Sequence, residues 1–464
     1  MTSVLGDRYA SKEMQEIWSR EFKIIKEREL WVHVLRSQKD LGLNVDVSVI
    51  KAYEEKIHSI NLLSIDERER TTQHDVMARI HEFNSLAGHQ DIHIGMTSRD
   101  LTENIEIFQV KSSLDVVLFK CDALLLRLVE FSDRYKDLAT VGRTHNMPAQ
   151  ITTLGRRFSM WLEELFFARK HLVEFMDRLP IRGIKGALGT LQDLQQLFPG
   201  GTREINEDLK KFLGIENELI APSQIYPRSI DFELVTLLSQ ISAGPSNLAY
   251  NIRLMAGQGL LNEGFAKSQV GSSAMPHKIN PRLSERVNSL ASVIKGHVTM
   301  IQELSGNQWN EGDVSCSVVR RVVLPDAFFA IDSVLDTSIR VMDDLVINEK
   351  AIEVEVDENM PLLLSSSILM CAVNNGAGRE EAHATIKKLA NIARAEGSDI
   401  QQRFFALVTQ ESSLQVTNED LTQLTSRSEL VKSAVEQVKE LAKKVTVKVG
   451  SVDSHKAYVP GKSI

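Results

Sequence analysis

The stretch Gly271-Ser272-Ser273-Ala274-Met275-Pro276-His277-Lys278-Ile279-Asn280-Pro281 gathers hydroxyls, an amide, an ammonium and an imidazole, and no acidic group. Glycine, two serines and two prolines break regular structure, so the composition predicts a loop. Backbone N–H groups beside a lysine make a receptor for carboxylate or phosphate. Asn280 before Pro281 reads as a helix N-cap followed by the first helical residue, so the loop feeds a helix. A plain surface connection between two helices is the reading that composition alone leaves open.

Three histidines stand beside turn-forming residues: His74 in Thr71-Thr72-Gln73-His74-Asp75, His93 in His93-Ile94-Gly95-Met96-Thr97-Ser98, and His145 in Gly142-Arg143-Thr144-His145-Asn146-Met147-Pro148. Imidazole titrates near neutrality and suits proton transfer. Singly, each also reads as a surface or capping histidine, and Thr97-Ser98 reads as a helix cap. Glu285 reads by itself as an acidic residue in the first turn of the helix opening at Pro281.

The elements that must position these groups are almost all helical. Apolar residues Met14, Trp18, Ile25, Trp31, Val34 and Leu35 recur at helical spacing from Ser11 to about Leu41, with Gly42 at the C-terminal end. Asp46 to Ile60 and Asp66 to Leu86 predict two further helices. Asp100-x-x-Glu103 resembles a capping box, and a helix from Asp100 to about Asp137 would span roughly 57 Å at ~1.5 Å per residue. Long patterns also cover Thr152 to Leu179, Ile230 to Gly264, Pro281 to Gly306 and Ser317 to Leu345, with Gly244-Pro245 a candidate kink. Helices this long and apolar imply a bundle that associates with copies of itself. Irregular stretches cover His89 to Ser98, Thr140 to Gln150, Gly183 to Thr190 and Ala221 to Ser229; strand-like alternation is convincing only at Val445 to Val449. Shorter helices follow at Arg379 to Glu396, Asp399 to Thr409 and Arg427 to Lys444. Domain boundaries are expected near residues 98 and 356, giving segments 1–98, 99–356 and 357–464.

The 464 residues allow two or three domains and a substantial core. A formal charge of −8 with mixed signs argues against a general nucleic-acid binder, while leaving room for a local basic pocket. Cys121, Cys316 and Cys371 lie far apart, which indicates neither a disulfide framework nor a zinc site. The apolar run from Val116 to Phe131 is interrupted by Lys120, Asp122 and Arg127, so no membrane span is expected there. Without a basic-then-apolar start, a cytoplasmic protein is expected.

Six fixed residue types within Gly271–Pro281 make that loop similar to the signature loop of the aspartase/fumarase superfamily, whose members release fumarate from succinyl-bearing substrates. Within it the chain resembles the adenylosuccinate lyase family, of the bacterial type. The resemblance runs through Asp7-Arg8-Tyr9-Ala10-Ser11-Lys12-Glu13-Met14, His74-Asp75, His93-x-Gly-x-Thr97-Ser98, Ser223-Gln224-Ile225-x-x-Arg228 and Ser317 to Asp326.

The resemblance implies an all-α, three-domain fold with a central long-helix bundle, a homotetramer with active sites shared between subunits, and no cofactor or metal. It implies anti β-elimination: adenylosuccinate to AMP and fumarate, and the same cleavage of a succinylcarboxamide ribotide in purine synthesis. Ser272 is then the general base, with Ser273 the alternative or a loop cap. Lys278, Asn280 and loop N–H groups would meet the charge that develops on the carboxylate. His145 is the implied general acid, oriented by Glu285. Arg8, Tyr9 and Arg286 resemble phosphate anchors, and Thr97 and Ser98 resemble groups holding a succinyl carboxylate. His74, Asp75, His93, Gln224, Ser317 and Arg321 match further substrate contacts.

Two positions depart from the family pattern: Gln73 and Gly312 stand where arginines are usual. They leave room for a relative acting on another succinylated amine. Argininosuccinate lyase, aspartase, fumarase or cycloisomerase chemistry, and a non-catalytic structural relative, are the competing readings. The Arg8-Tyr9, His74-Asp75 and His93 stretches favour the purine enzyme, and intact Ser272, Lys278, Asn280 and His145 argue against a non-catalytic role.

Overall fold

The computed structural model describes residues 3–264, 275, 278–396, 400–450 and 453–461. Serines start the chain's first helices: the side chains of Ser3, Ser11 and Ser19 accept from the backbone N–H groups of Gly6, Met14 and Phe22, each filling an orphan donor of a first turn. The result is α1 (Val4–Arg8), α2 (Lys12–Ile17) and α3 (Arg20–Asp40), followed by α4 (Val47–Glu54), α5 (Leu62–Thr72) and α6 (Asp75–Ala87). The single helix expected from Ser11 to Leu41 is therefore broken at Trp18-Ser19, where a second capping serine competes with continuation. The helix expected from Asp66 to Leu86 is likewise two, divided where Gln73 turns left-handed at φ 52°.

The centre is built on α7 (Ser98–Arg134), the hairpin β1 (Ala139–Thr144) and β2 (Met147–Thr153), and α8 (Leu154–Arg178). Short pieces β3 (Pro180–Ile181), α9 (Gln192–Leu197), α10 (Thr202–Leu213) and β4 (Asn217–Glu218) lead to α11 (Ser229–Gly257), which continues through Pro245. Then come β5 (Leu261–Asn262), α12 (Arg282–Gln302), α13 (Ser317–Asp344) and β6 (Val346–Ile347). The α7 box is formed by Thr97 and Asp100, not by Asp100 and Glu103: the Asp100 carboxylate accepts from the Thr97 N–H at 2.8 Å. Helix α12 starts at Arg282 with Pro281 as its cap residue, one position later than Asn280-Pro281 predicts.

Helices α7, α8, α11, α12 and α13 pack on one another along their lengths. Leu114, Val117, Leu124, Leu162, Leu165, Leu238, Ile241, Ile294, Phe328 and Leu335 are fully buried between them. Gly155 lets the start of α8 cross the end of α7, because any side chain there would collide with the Ser132 carbonyl.

The remaining helices are α14 (Glu349–Leu363), α15 (Ser365–Asn374), α16 (Arg379–Ala395), α17 (Ile400–Gln410), α18 (Asn418–Leu424), α19 (Arg427–Val449) and α20 (Asp453–Ala457). The run Glu349–Asn374 is apolar and long enough in composition to cross a membrane. Here it breaks at Leu364, and its Val356, Met360, Leu363 and Ile368 form a second core with Ile386, Phe404 and Val408. Val445–Val449, expected to be extended, is the last turn of α19, which returns to pack on α7 and α8. The stretch Thr140–Gln150, expected to be irregular, is a hairpin.

Candidate active site

The N-terminal ends of α6 and α7 meet. His74 caps α6, its Nδ1 accepting from the Met77 N–H at 3.3 Å, and its Nε2 lies 3.5 Å from the Ser98 hydroxyl. Asp75 is 3.2 Å from Arg321 on the first turns of α13 and 3.6 Å from Arg79. Burial works against ionisation of Asp75, but Arg79 and Arg321 outweigh it and hold its carboxyl below the ordinary range. His93 is left-handed at φ 67° and accepts a hydrogen bond from the Trp31 indole at 3.0 Å. Burial, then His74, lower its pKa to about 4. The Gln224 N–H donates to the Glu311 carbonyl at 2.8 Å, tying it to the loop that runs into Ser317 and α13. His74, Asp75, His93, Thr97, Ser98, Gln224, Ser317 and Arg321 thus share one neighbourhood.

Buried charges beneath them fix the three helices involved. Glu103 of α7 takes Arg228 at 2.8 Å and Arg99 at 3.2 Å. Arg320 of α13 reaches Asp231 at 2.7 Å and Glu106 at 2.6 Å. The Tyr226 hydroxyl donates to Asp231 at 2.6 Å. Sequence reading passes over this set, because charged residues on a helix usually face water. The usable signal was their position inside otherwise apolar faces of α7 and α13.

The two departures from the family pattern have local explanations. Gln73 turns its amide back to the Arg70 carbonyl at 2.7 Å. Gly312 adopts φ 152°, and a Cβ there would lie 2.8 Å from the Gln224 Cβ, so Gln224 occupies the room a side chain would need.

A second group gathers at the start of α12 and the far end of α13. The guanidinium groups of Arg8 and Arg286 lie 5.8 and 5.5 Å from the centre of the Tyr9 ring. Burial, together with the positive charges of Arg340, Arg282 and Arg8, lowers the Arg286 pKa against the opposing pull of Tyr9. Arg8, Arg282, Arg286 and Arg340 thus concentrate positive charge around Tyr9. Arg282 and Arg340 are members that the sequence did not single out. Glu263, also missed, caps α12 from outside: its carboxylate accepts from the N–H groups of Leu283 at 3.0 Å and Ser284 at 2.6 Å. Lys278 and Asn280 immediately precede this helix, with the Lys278 N–H donating to the Met275 carbonyl at 3.0 Å. Ser272 and Ser273 lie outside the described residues.

His145 stands apart from the first group. With Asn146 it forms the two-residue turn of the β1–β2 hairpin, both left-handed at φ 51° and 62°. Its side chain is exposed. Among the described residues no hydrogen bond or ion pair joins it to Glu285, which is exposed on the first turn of α12. The 37 residues of α7 separate the Thr97-Ser98 group from the hairpin's base by ~55 Å at ~1.5 Å per residue. A strand of six residues recovers at most ~20 Å of that. Likewise Arg321 and Arg340 are ~29 Å apart along α13. One chain therefore holds the expected site residues in separate places rather than in one cleft.

A family model described as "Lyase" matches residues 9–296, and one described as "Adenylosuccinate lyase C-terminus" matches residues 361–441. A Saccharomyces cerevisiae adenylosuccinate lyase is 32% identical over 457 residues, covering 96% of this chain and 94% of that protein. The chain belongs to the adenylosuccinate lyase family. The adenylosuccinate lyase of Archaeoglobus fulgidus is 32% identical over 395 residues, 85% of this chain and 87% of its own length. Among solved structures, a fumarate lyase from Mesorhizobium sp. BNC1 superposes with a TM-score of 0.81 at 18% identity, covering 94% of this chain and 98% of its own. A 3-carboxy-cis,cis-muconate lactonizing enzyme from Pseudomonas putida superposes with a TM-score of 0.83 at 19% identity, covering 96% and 99%. These structures establish the all-α aspartase/fumarase fold. As a member of the adenylosuccinate lyase family the chain is an enzyme, a carbon–nitrogen lyase.

Proposed function

We propose that the enzyme cleaves adenylosuccinate to AMP and fumarate, and succinylcarboxamide ribotide to its carboxamide and fumarate, within sites completed by three copies of the chain in a homotetramer. The single observation that carries the assembly is the length of α7, which holds Thr97-Ser98 and the hairpin bearing His145 too far apart for one chain to use both. Exposed apolar residues on the long helices support it. Met160 and Phe167 on α8, Tyr250 and Leu254 on α11, Val293 and Met300 on α12, and Val318 and Val322 on α13 all face solvent in the single chain. Spacings of four or seven residues place each pair on one helix face, the pattern of an interface between bundles. A cytoplasmic location and divisions near residues 98 and 356 complete the proposal.

In this reading the Arg8, Tyr9, Arg286 cluster takes the nucleotide phosphate, with Arg282 and Arg340 adding to its positive field. His74, Thr97 and Ser98 hold a succinyl carboxylate. Ser272 removes the proton from the carbon beside that carboxylate, and Lys278 with Asn280 meets the negative charge as it forms. His145 of another copy, oriented by Glu285, protonates the departing nitrogen as the C–N bond breaks. Fumarate and the amine leave with atoms and charge balanced, and the chemistry calls on no redox partner.

Gly312 favours one second reading, a relative whose substrate is a different succinylated amine, because Gln224 fills the place of the missing arginine. The test is turnover of adenylosuccinate, argininosuccinate, aspartate and malate by the wild type, with fumarate and AMP both measured. Ser272→Ala and His145→Ala should each lower adenylosuccinate turnover by orders of magnitude while the assembly stays the same. Near-wild-type rates in either variant would remove its assigned role.

A further inference from the structure

We infer that Trp31 is a positioning residue for this reaction: its indole N–H holds His93 as a neutral imidazole protonated on Nε2, making His93 a fixed hydrogen-bond donor to substrate rather than a proton-transfer group. The donor role toward substrate rests on the proposed function; the tautomer rests on geometry alone.

Indole nitrogen donates and cannot accept. The Trp31 N–H meets His93 Nδ1 at 3.0 Å, so Nδ1 must present its lone pair, and the single proton of a neutral ring sits on Nε2 across the ring. Trp31 itself is held among buried rings. It is 1% exposed on α3, and its ring packs on Phe83 and meets the His93 ring edge-on with centroids 6.0 Å apart. The backbone of His93 is left-handed, a conformation that persists only where surroundings impose it. The Gln38 amide, two turns along α3 from Trp31, donates to the Ile94 carbonyl at 2.8 Å and secures the same loop.

The neighbouring charges do not favour an imidazolium. From α3, Glu27 is engaged by Arg79 at 2.6 Å, and Arg28 is paired with Glu82. From α6, His74 faces His93, and Asp75 is committed to Arg79 and Arg321. From α7, Asp100 is bound by Arg182 and by the Lys185 N–H at 2.8 Å. Each of these carboxylates is thus engaged by an arginine, and none of them pairs with His93. Protonating Nδ1 would set two donors against each other at 3.0 Å. Burial and His74 act in the same direction and place the titration at about 4. Across neutral pH the ring therefore offers one N–H, at Nε2, on the side of the ring away from Trp31.

The test is histidine-selective 15N labelling of the intact wild-type enzyme, with His93→Gln used to assign its signal. The expected result is a neutral Nε2–H imidazole that does not titrate above pH ~5. An Nδ1–H tautomer, or a titration near the ordinary value, overturns the inference without any variant at position 31. Trp31→Phe keeps the ring's bulk and removes the donor. In it His93 should titrate at higher pH, and KM for adenylosuccinate should rise by roughly tenfold, with kcat little changed. That KM should also acquire an acid-side pH dependence absent from the wild type. A Trp31→Phe enzyme with unaltered tautomer and unaltered pH profile overturns the positioning role. If the wild type fails to cleave adenylosuccinate, the proposed function fails, while the labelling result still decides the Trp31–His93 link.

Discussion

Complementation between two crippled chains gives the most direct test of the shared site. One variant carries His74→Ala with Ser98→Ala at the start of α7; the other carries His145→Ala at the hairpin tip. Each homotetramer should be nearly inactive, because every one of its sites has the same lesion. The ~55 Å of α7 means that a site drawing on both places takes them from different chains. In tetramers formed from an equal mixture, a site receives a sound α7 start with a chance of one half and a sound hairpin with a chance of one half. About one quarter of the sites should therefore be intact, restoring about one quarter of wild-type turnover. The assay is fumarate release from co-expressed or co-refolded chains, with mixed assemblies verified by native mass spectrometry. Were both groups to act within one chain, every site in the mixture would keep a lesion. Verified mixed tetramers with no recovered activity would show that the two places act within one chain.

The buried charges make separate predictions. Arg320→Met leaves Asp231 and Glu106 without their closest guanidinium and should destabilise the protein by ~3–5 kcal/mol in chemical denaturation; a loss below ~1 kcal/mol would mean these carboxylates find other partners. Burial opposes the charge of Glu106, but Lys23 and Arg320 outweigh it and hold its carboxyl far below the ordinary value. A carboxyl depressed on folding contributes stability that is complete above its unfolded pKa, ~4.3, and is lost as pH falls toward the folded value. The melting temperature should drop on acidification below that range, and Glu106→Gln should flatten the slope; an unchanged slope would exclude Glu106 as a contributor. Gly312→Ala places a Cβ 2.8 Å from that of Gln224 at a backbone angle unsuited to alanine, a strain of ~1–3 kcal/mol. Displacement of Gln224 should raise KM more than it lowers kcat, and unchanged kinetics would argue that Gln224 does not touch substrate.

The long helices were legible because apolar residues recur at helical spacing for several turns and breakers are sparse inside them. The errors have local causes. Val445 to Val449 alternates over five residues, but Val431, Val438 and Val445 lie seven apart and Val449 four further, one buried face of a longer helix. Packing of that face on α7 and α8 outweighs the extended preference of β-branched side chains. The hairpin was hidden because its turn, His145-Asn146, is left-handed at both residues without a glycine. Pro148 within its second strand argued further against a strand. At α7, Thr97 outcompeted Asp100 for the cap because Asp100 is drawn inward by Arg182 and the Lys185 and Gly186 N–H groups.

The buried contacts around the expected site residues were not legible, but their division along the chain was, and it rests on α7. Its 37 residues follow directly from the caps and apolar faces written in the sequence. A rod of that length fixes Thr97-Ser98 at one end and the hairpin beyond the other, whatever the loops do. Motif matching names residues without regard to which copy supplies them; the rod is what makes the proposed site a shared one. In the proposed assembly the exposed pairs on α8, α11, α12 and α13 have two duties, covering apolar surface and bringing the start of one α7 to another chain's hairpin. A substitution such as Phe167→Asp, remote from every proton-transfer group, should therefore abolish activity in step with loss of the tetramer, as followed by sedimentation. A dissociated chain that kept full turnover would show that the rod does not divide the site after all.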